Sequence, residues 1–295
     1  MRKALPDCPL ALLHRFLRKG LVSVDGRPQE GGFRVNAGSV ISVPSLSGGR
    51  GVSPSKPRSP LPPPEILWQG RGLLALNKPA GLAVHAEDGA RGAGGATLDD
   101  IARSYLAGKL PPSLSFRPGP LHRLDKPSSG IVVFSTSIEG ARFFSEALRE
   151  GSVRKFYMAV LEGCFEKEAL WEDSLVRDKN LRKTFLAGGS SATATAAGAA
   201  PKAACTSVFP IAAGGGYSLV KMEIKTGRTH QIRAQAAAHG FPLAGDCKYG
   251  ASPAGHALGK SGFFLHAWRV EFQDVSIEAP LPPAFAGLVK RLFNI

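Results

Sequence analysis

Hydrophobic positions divide the chain into three stretches of different character. In the first, Leu10, Leu13, Phe16 and Leu17 recur at helical spacing while Arg15, Arg18 and Lys19 crowd the other side, and Gly20 supplies a stop. Leu21–Val24 reads as a strand, Asp25-Gly26 as a tight turn and Val40–Val43 as a closing strand. Residues 45–64 then lose all apolar periodicity and become rich in Pro, Ser and Gly, punctuated by Arg50, Lys56 and Arg58. Such a stretch buries too little apolar surface to fold, and reads as a flexible basic linker.

From residue 65 the pattern alternates strand-like and helix-like runs. Ile66–Trp68 and Leu73–Leu76 flank Gly70 and Gly72 as a hairpin, and Thr97 is placed to cap a helix reaching Ala107. The wholly apolar run Ile131-Val132-Val133-Phe134 predicts a buried strand; Ser137 can cap a helix carrying Phe143, Phe144, Ala147 and Leu148, ended by Gly151. Strands are predicted at 154–162, 205–212 and 217–224, with a helix from about Thr229 to His239 ended by Gly240. Strands outnumber helices and several adjoin without a crossover helix, so the expected class is α+β on a mixed, largely antiparallel sheet. A small α/β module at 1–44 precedes the linker at 45–64 and a main domain at 65–295. Within that domain a low-complexity, almost uncharged insertion is expected at about 187–204.

Charge changes this picture toward a polyanionic partner. The chain holds 37 basic against 23 acidic residues, a net charge of +14 with a pI near 9.9, the electrostatic footprint of a nucleic-acid binder. No apolar stretch reaches transmembrane length, no amphipathic helix presents one broad basic face, and the start lacks the apolar core of a secretory signal. A cytoplasmic protein without membrane attachment is expected. Cys8, Cys164, Cys205 and Cys247 have no paired spacing and the seven histidines are scattered, which predicts free thiols and no metal.

The densest candidate chemistry is His122-Arg123-Leu124-Asp125-Lys126-Pro127-Ser128-Ser129-Gly130, one carboxylate among three potential cations at the entrance of the buried strand. Neighbouring cations favour the ionised carboxylate, which suits a nucleophile or a stabiliser of developing positive charge and not a general acid. On Asp125 alone, a solvated loop salt bridge is the better reading, because charged residues at a strand entrance are usually just solvated. Three further segments resolve this: Asn77-Lys78-Pro79-Ala80-Gly81, Arg154-Lys155-Phe156-Tyr157-Met158-Ala159-Val160, and Thr226-Gly227-Arg228-Thr229-His230-Gln231-Ile232-Arg233. The last runs on to His239–Asp246 and Lys248-Tyr249-Gly250. Together with HRLDKPSSGIVVF, in this order, they resemble the RluA-type pseudouridine synthases. The segment Leu17–Gly26 resembles the second half of a small ribosomal-protein-type RNA-binding domain, truncated at its start; the same residues also read as a small extension packed on the core.

The resemblance implies the pseudouridine synthase fold and an isomerase acting on RNA by base flipping. That reaction moves uracil from a nitrogen to a carbon linkage with no net change of atoms or electrons, so no cofactor is expected. Asp125 would be the essential carboxylate, attacking the sugar or otherwise assisting glycosidic cleavage; Tyr157 would stack on the target base and Arg233 would pair with Asp125. Ile232 would line the base pocket, and Arg123 would hold RNA open around the flipped nucleotide. Lys78, Lys126, Arg228 and Lys248 would contact phosphate, and Arg15, Arg18 and Lys19 would bind RNA from the first module. His122 and His230 read as hydrogen-bonded positioning residues at the RNA site. Taken singly, Tyr157 reads better as a half-buried strand aromatic, and Arg233 reads equally as an exposed helix arginine, Ile232 as core and each lysine as a solvated charge. Pro127-Ser128 departs from the Asp-Thr common in the family and stiffens the loop. The expected substrate is ribosomal RNA, with transfer RNA and a catalytically idle ribosome-assembly factor as alternatives, and the expected state is a monomer.

Overall fold

The computed structural model describes residues 10–43, 63–86, 95–110, 116–178, 180–188, 200–258 and 262–295. Helix α1 (Leu10–Arg18) buries Leu13 and Phe16 and exposes Arg15 and Arg18, with Lys19 exposed just beyond it. Beside it, β1 (Ser23–Val24) pairs antiparallel with β2 (Arg27–Pro28) and β3 (Ile41–Ser42) in the order β2-β1-β3. Asp25 and Gly26 both take the left-handed conformation that a two-residue hairpin turn demands, and the Asp25 carboxylate accepts the Val40 N–H at 2.8 Å. The strands are two residues long where four were expected, and β2 carries no apolar signal that sequence could have shown. The predicted linker lies outside the described residues except for Pro63 and Pro64.

The main sheet has eleven strands among the described residues. In chain order these are β4 (Ile66–Gly70), β5 (Leu73–Lys78), β6 (Gly119–Pro120), β7 (Ser129–Ser135), β8 (Arg154–Glu162), β9 (Ala169–Asp178), β10 (Lys183–Leu186), β11 (Lys202–Gly214), β12 (Tyr217–Ile224), β13 (Leu265–Phe272) and β14 (Val275–Glu278). The path runs β10-β9-β11-β12-β8-β13-β7-β5-β4, with β14 on β13 and β6 on β7. Among the described residues β13 and β7 form the parallel pair, and every other pairing is antiparallel, so the expected mixed sheet is what forms.

Helices cover both faces. Along β5 and β7, Leu73, Ala75, Ile131 and Val133 pack with Phe144 of α3 (Ile138–Glu150) on one side. Leu74, Leu76, Val132 and Phe134 pack with Leu98 and Ala102 of α2 (Leu98–Leu106) on the other. Burial on both faces is the reason these strands are continuously apolar and not alternating. Both predicted caps form: Thr97 and Asp100 make a reciprocal capping box, and Ser137 accepts the Gly140 N–H while left-handed Gly151 closes α3. Helix α4 (Gln231–Ala238) shares the α2 face through Ile232 and Ala236. Short α5 (Pro253–Leu258) and α6 (Pro283–Phe293) follow, and Phe285 and Leu288 of α6 pack on Val160 and Leu219.

Gly130, at φ +106, is where β7 meets β13. A Cβ there would lie 2.2 Å from the Ala267 carbonyl oxygen, so only glycine lets the strand beyond the Asp125 loop run alongside β13. Two boundaries differ from expectation. The low-complexity insertion ends earlier than 204, because Lys202–Ala204 pair with Leu175–Asp173 and Ala204 packs against Leu175 and Tyr249. Residues 189–199 lie outside the described residues. Helix α4 begins two residues after Thr229 because His230 is left-handed at its N-terminus.

Candidate active site

Three chain-distant segments meet above the sheet on the α2/α4 side: the loop Arg123–Ser128, strand β8, and the turn Thr226–His230 with the helix α4 that follows it. They enclose a cleft of about 70 Å³ lined by Arg123, Asp125, Tyr157, Arg228, His230, Ile232 and Arg233, with Leu124, Ile224 and Leu265 among its apolar wall. The predicted set of Asp125, Tyr157 and Arg233 is therefore brought together, with Ile232 beside it. Arg123, Arg228 and Lys126 are exposed around the rim.

The loop bearing Asp125 is held from below. The Ser128 N–H closes a turn onto the Asp125 carbonyl at 3.1 Å, and the Lys126 carbonyl accepts from Gly81 N–H at 2.8 Å and Lys78 Nζ at 3.1 Å. This overturns the reading of Lys78 as a phosphate contact. Its side chain is fully buried, and its ammonium also donates to the Pro79 and Leu82 carbonyls at 2.9 and 2.7 Å. Burial lowers its pKa to about 8, partly offset by the Asp125 charge. His122 also ties the loop down: its Nε2 accepts the Val133 N–H at 3.0 Å and its ring stacks on Phe144 of α3 at 6.3 Å between centroids, in keeping with its reading as a hydrogen-bonded positioning residue. Burial, then the Lys155 charge, lowers its pKa to about 3 and keeps it neutral.

Arg233 joins two carboxylates. Nη1 donates to Asp125 Oδ2 at 2.9 Å, while Nε and Nη2 form a fork on Asp246 at 2.7 and 2.8 Å. Burial works against its charge, but Asp246, then Asp125, outweigh that and raise its pKa. Its guanidinium also lies over the rings of Tyr249 and Phe263, 4.8 and 4.3 Å from their centroids. Tyr157 is buried, and burial and the Asp125 charge both hold its phenol protonated well above the usual range. The turn that aims α4 is set by Gln231, whose Oε1 accepts from Thr226 Oγ1 and Arg228 N–H and whose Nε2 donates to the Cys205 carbonyl.

Sequence reading missed four contributors. Asp246 is 2% exposed, and its pairing across thirteen residues with Arg233 leaves no periodic signal. Tyr249, seen only as part of a motif, hydrogen-bonds His230 and supports Arg233. Arg177 of β9 stands near His230 and Lys248, and Lys183 of β10 stands near Lys248 with its Nζ 5.0 Å from the Tyr249 ring centroid. Lys248 is exposed with one donor used on the Arg182 carbonyl; burial, then Arg233, Arg177 and Lys183, lower its pKa. Beside His230 the site thus gathers Arg177 and Lys248, with Lys183 next to Lys248, while Arg228 lines the cleft itself. No group of three or more His, Cys, Asp or Glu that could hold a metal ion occurs among the described residues.

Residues 72–238 match the family model described as RNA pseudouridylate synthase. The chain is 30% identical over 307 residues to the ribosomal large subunit pseudouridine synthase C of Pasteurella multocida, covering 98% of this chain and 87% of the relative. It is 27% identical to the protein of that name from Escherichia coli K12, covering all of this chain and 92% of that one. In fold it is similar to the human RNA pseudouridylate synthase domain containing 4, with a TM-score of 0.60 at 22% identity over 77% of this chain and 92% of the other.

Proposed function

Since the chain belongs to the RNA pseudouridylate synthase family, whose members convert uridine in RNA to pseudouridine, we propose that its substrate is large-subunit ribosomal RNA and that Asp125 carries the reaction. The observation that carries this reading is the Asp125 carboxylate held by Arg233 at 2.9 Å over a cleft floored by Tyr157 and Ile232. The target nucleotide, flipped from its stack, enters the cleft with the phenol of Tyr157 against its face. Cleavage of the bond from C1′ to N1 frees uracil, which turns and rejoins C1′ through C5; C5 loses one proton and N1 gains one, so atoms and electrons balance. Asp125 acts at C1′, where positive charge develops as the bond breaks, and a carboxylate fixed beside it is suited to stabilise or capture that centre.

Around the cleft, exposed Arg123, Lys126, Arg228 and Lys248 and half-buried Arg177 supply the cations that follow an RNA backbone, and the exposed face of α1 with Arg15 and Arg18, together with Lys19 just beyond it, supports a second contact from the N-terminal module. The names of the relatives favour ribosomal over transfer RNA.

The test is pseudouridine mapping by chemical labelling and reverse-transcription stops on total RNA from cells with and without the gene. Ribosomal sites that vanish and return only with intact Asp125 support the reading. Loss confined to transfer-RNA sites overturns the substrate, and no change makes the protein an RNA-binding factor without turnover. Asp125→Asn is expected to abolish isomerisation at nearly unchanged RNA affinity, since one side chain among many phosphate contacts supplies little binding.

A further inference from the structure

His230 stands at the rim of the cleft in a backbone conformation, φ 56 and ψ 24, that L side chains rarely adopt. It caps nothing: its side chain makes no hydrogen bond to the first turn of α4, and a glycine would satisfy the backbone at no conformational cost. Strain of this kind persists where a side chain has work to do. The contacts of the imidazole say what that work is.

Its Nδ1 lies 2.9 Å from Tyr249 Oη, and the same oxygen accepts the Thr184 N–H at 2.8 Å. Since the backbone amide can only donate, the hydroxyl is free to send its single proton to Nδ1. That leaves the ring proton on Nε2. Nε2 faces Asp125 Oδ2 at 3.9 Å, the oxygen that Arg233 Nη1 already holds at 2.9 Å. Oδ1 of Asp125 makes no hydrogen bond among the described residues. We infer that His230 is a positioning residue: oriented by Thr184 and Tyr249, its Nε2–H works with Arg233 to hold Oδ2, so that Asp125 presents Oδ1 to the sugar. The 3.9 Å gap shortens to a hydrogen bond when substrate displaces water from the cleft. Burial, then the facing cations Arg233, Arg177 and Lys248, lower the imidazole pKa to about 4 against the pull of Asp125, so the ring is neutral at pH 7 and able to hold one tautomer. This inference rests on the isomerase reading above.

Two measurements test it. Nitrogen-15 NMR of the histidine side chains in the free, full-length enzyme reads the tautomer without substrate: His230 is expected as Nε2–H, shifting toward a tautomer mixture in Tyr249→Phe. Single-turnover isomerisation of a ribosomal RNA transcript is then compared among variants. His230→Gly is expected to lower the rate on the order of tenfold to a hundredfold with unchanged RNA Kd and a melting temperature held or raised, because strain is relieved. His230→Gln, which keeps an N–H donor, recovers a substantial part of that loss. An Nδ1–H tautomer overturns the inference, as does a His230→Gly rate within twofold of the native enzyme or a Gln variant no better than Gly. A native enzyme inactive on ribosomal RNA overturns the substrate reading instead, while the tautomer still decides the role of His230.

Discussion

Asp246→Asn isolates the residue that aims Arg233. In the native protein the Asp246 side chain is 1% exposed and receives two guanidinium N–H groups at 2.7 and 2.8 Å. Asparagine keeps one carbonyl acceptor in the same shape, but its amide N–H₂ then faces the other guanidinium donor whichever way it is turned. One charge-assisted hydrogen bond, worth about 1.5–3 kcal/mol, is lost and a buried charge loses its full partner. Removing one member of a buried pair costs about 3–5 kcal/mol. Because Asn retains an acceptor and Asp125 still contacts Nη1, the lower end applies, about 3 kcal/mol. At about 2–4 °C per kcal/mol for a domain of this size, the melting temperature falls by about 6–12 °C. Arg233 also swings off its fork, and if Asp125 carries the reaction as proposed, a displacement of about 1 Å at its carboxylate costs about a hundredfold in rate. The assay is release of tritium from C5 of labelled uridine in an RNA transcript, under single turnover and well below the melting transition. A variant with a rate within twofold of the native enzyme and a melting temperature within about 2 °C would falsify the claim that Asp246 orients Arg233.

Other substitutions separate the remaining roles. Lys78→Met removes the ammonium that ties the Lys126 carbonyl to the Pro79–Leu82 turn, so the isomerisation rate is expected to fall tenfold or more while RNA Kd holds; weakened binding at an unchanged rate would restore a phosphate role. His122 lowers stability in acid, because the unfolded chain takes up a proton near pH 6.5 that the folded ring refuses until about pH 3. The stabilisation present above pH 6.5 is thus lost as pH falls, by about 2 kcal/mol at pH 5, and His122→Gln should flatten that part of the melting-temperature profile, with His230 still contributing in the same direction. Arg177→Gln and Lys183→Gln are each expected to reduce the salt dependence of RNA binding by about one unit of slope, read from Kd between about 50 and 200 mM salt. Unchanged slopes would count against RNA contact by these two side chains.

Local chemistry made much of this protein legible from its sequence. Thr97 with Asp100, Ser137 with Gly151, and the alternation of glycine-bounded apolar runs set helix and strand limits, because caps and turns act within a few residues. Asp125, Tyr157 and Arg233 were identifiable because their neighbours in sequence form motifs. What sequence could not decide is which way a charge points once the chain folds. Lys78 and Lys126 look alike as cations in a motif, yet one is sealed under the loop and the other faces solvent, because β5 carries Lys78 beneath the turn it ties. His122 sits three residues from Asp125, yet its imidazole is spent on the Val133 N–H of β7 and a contact with Phe144 of α3. The partnership of Asp246, Arg233 and Asp125 spans 121 residues, and the Thr184–Tyr249–His230 chain joins β10 to the end of the turn Thr226–His230. Hydrogen bonds of that range arise from sheet order and helix placement, which the pairing of β13 with β7 and β8 sets. Residue types and local spacing therefore determined the elements and the kind of reaction, while only the tertiary structure decided which groups hold the carboxylate, because that depends on distances across the fold.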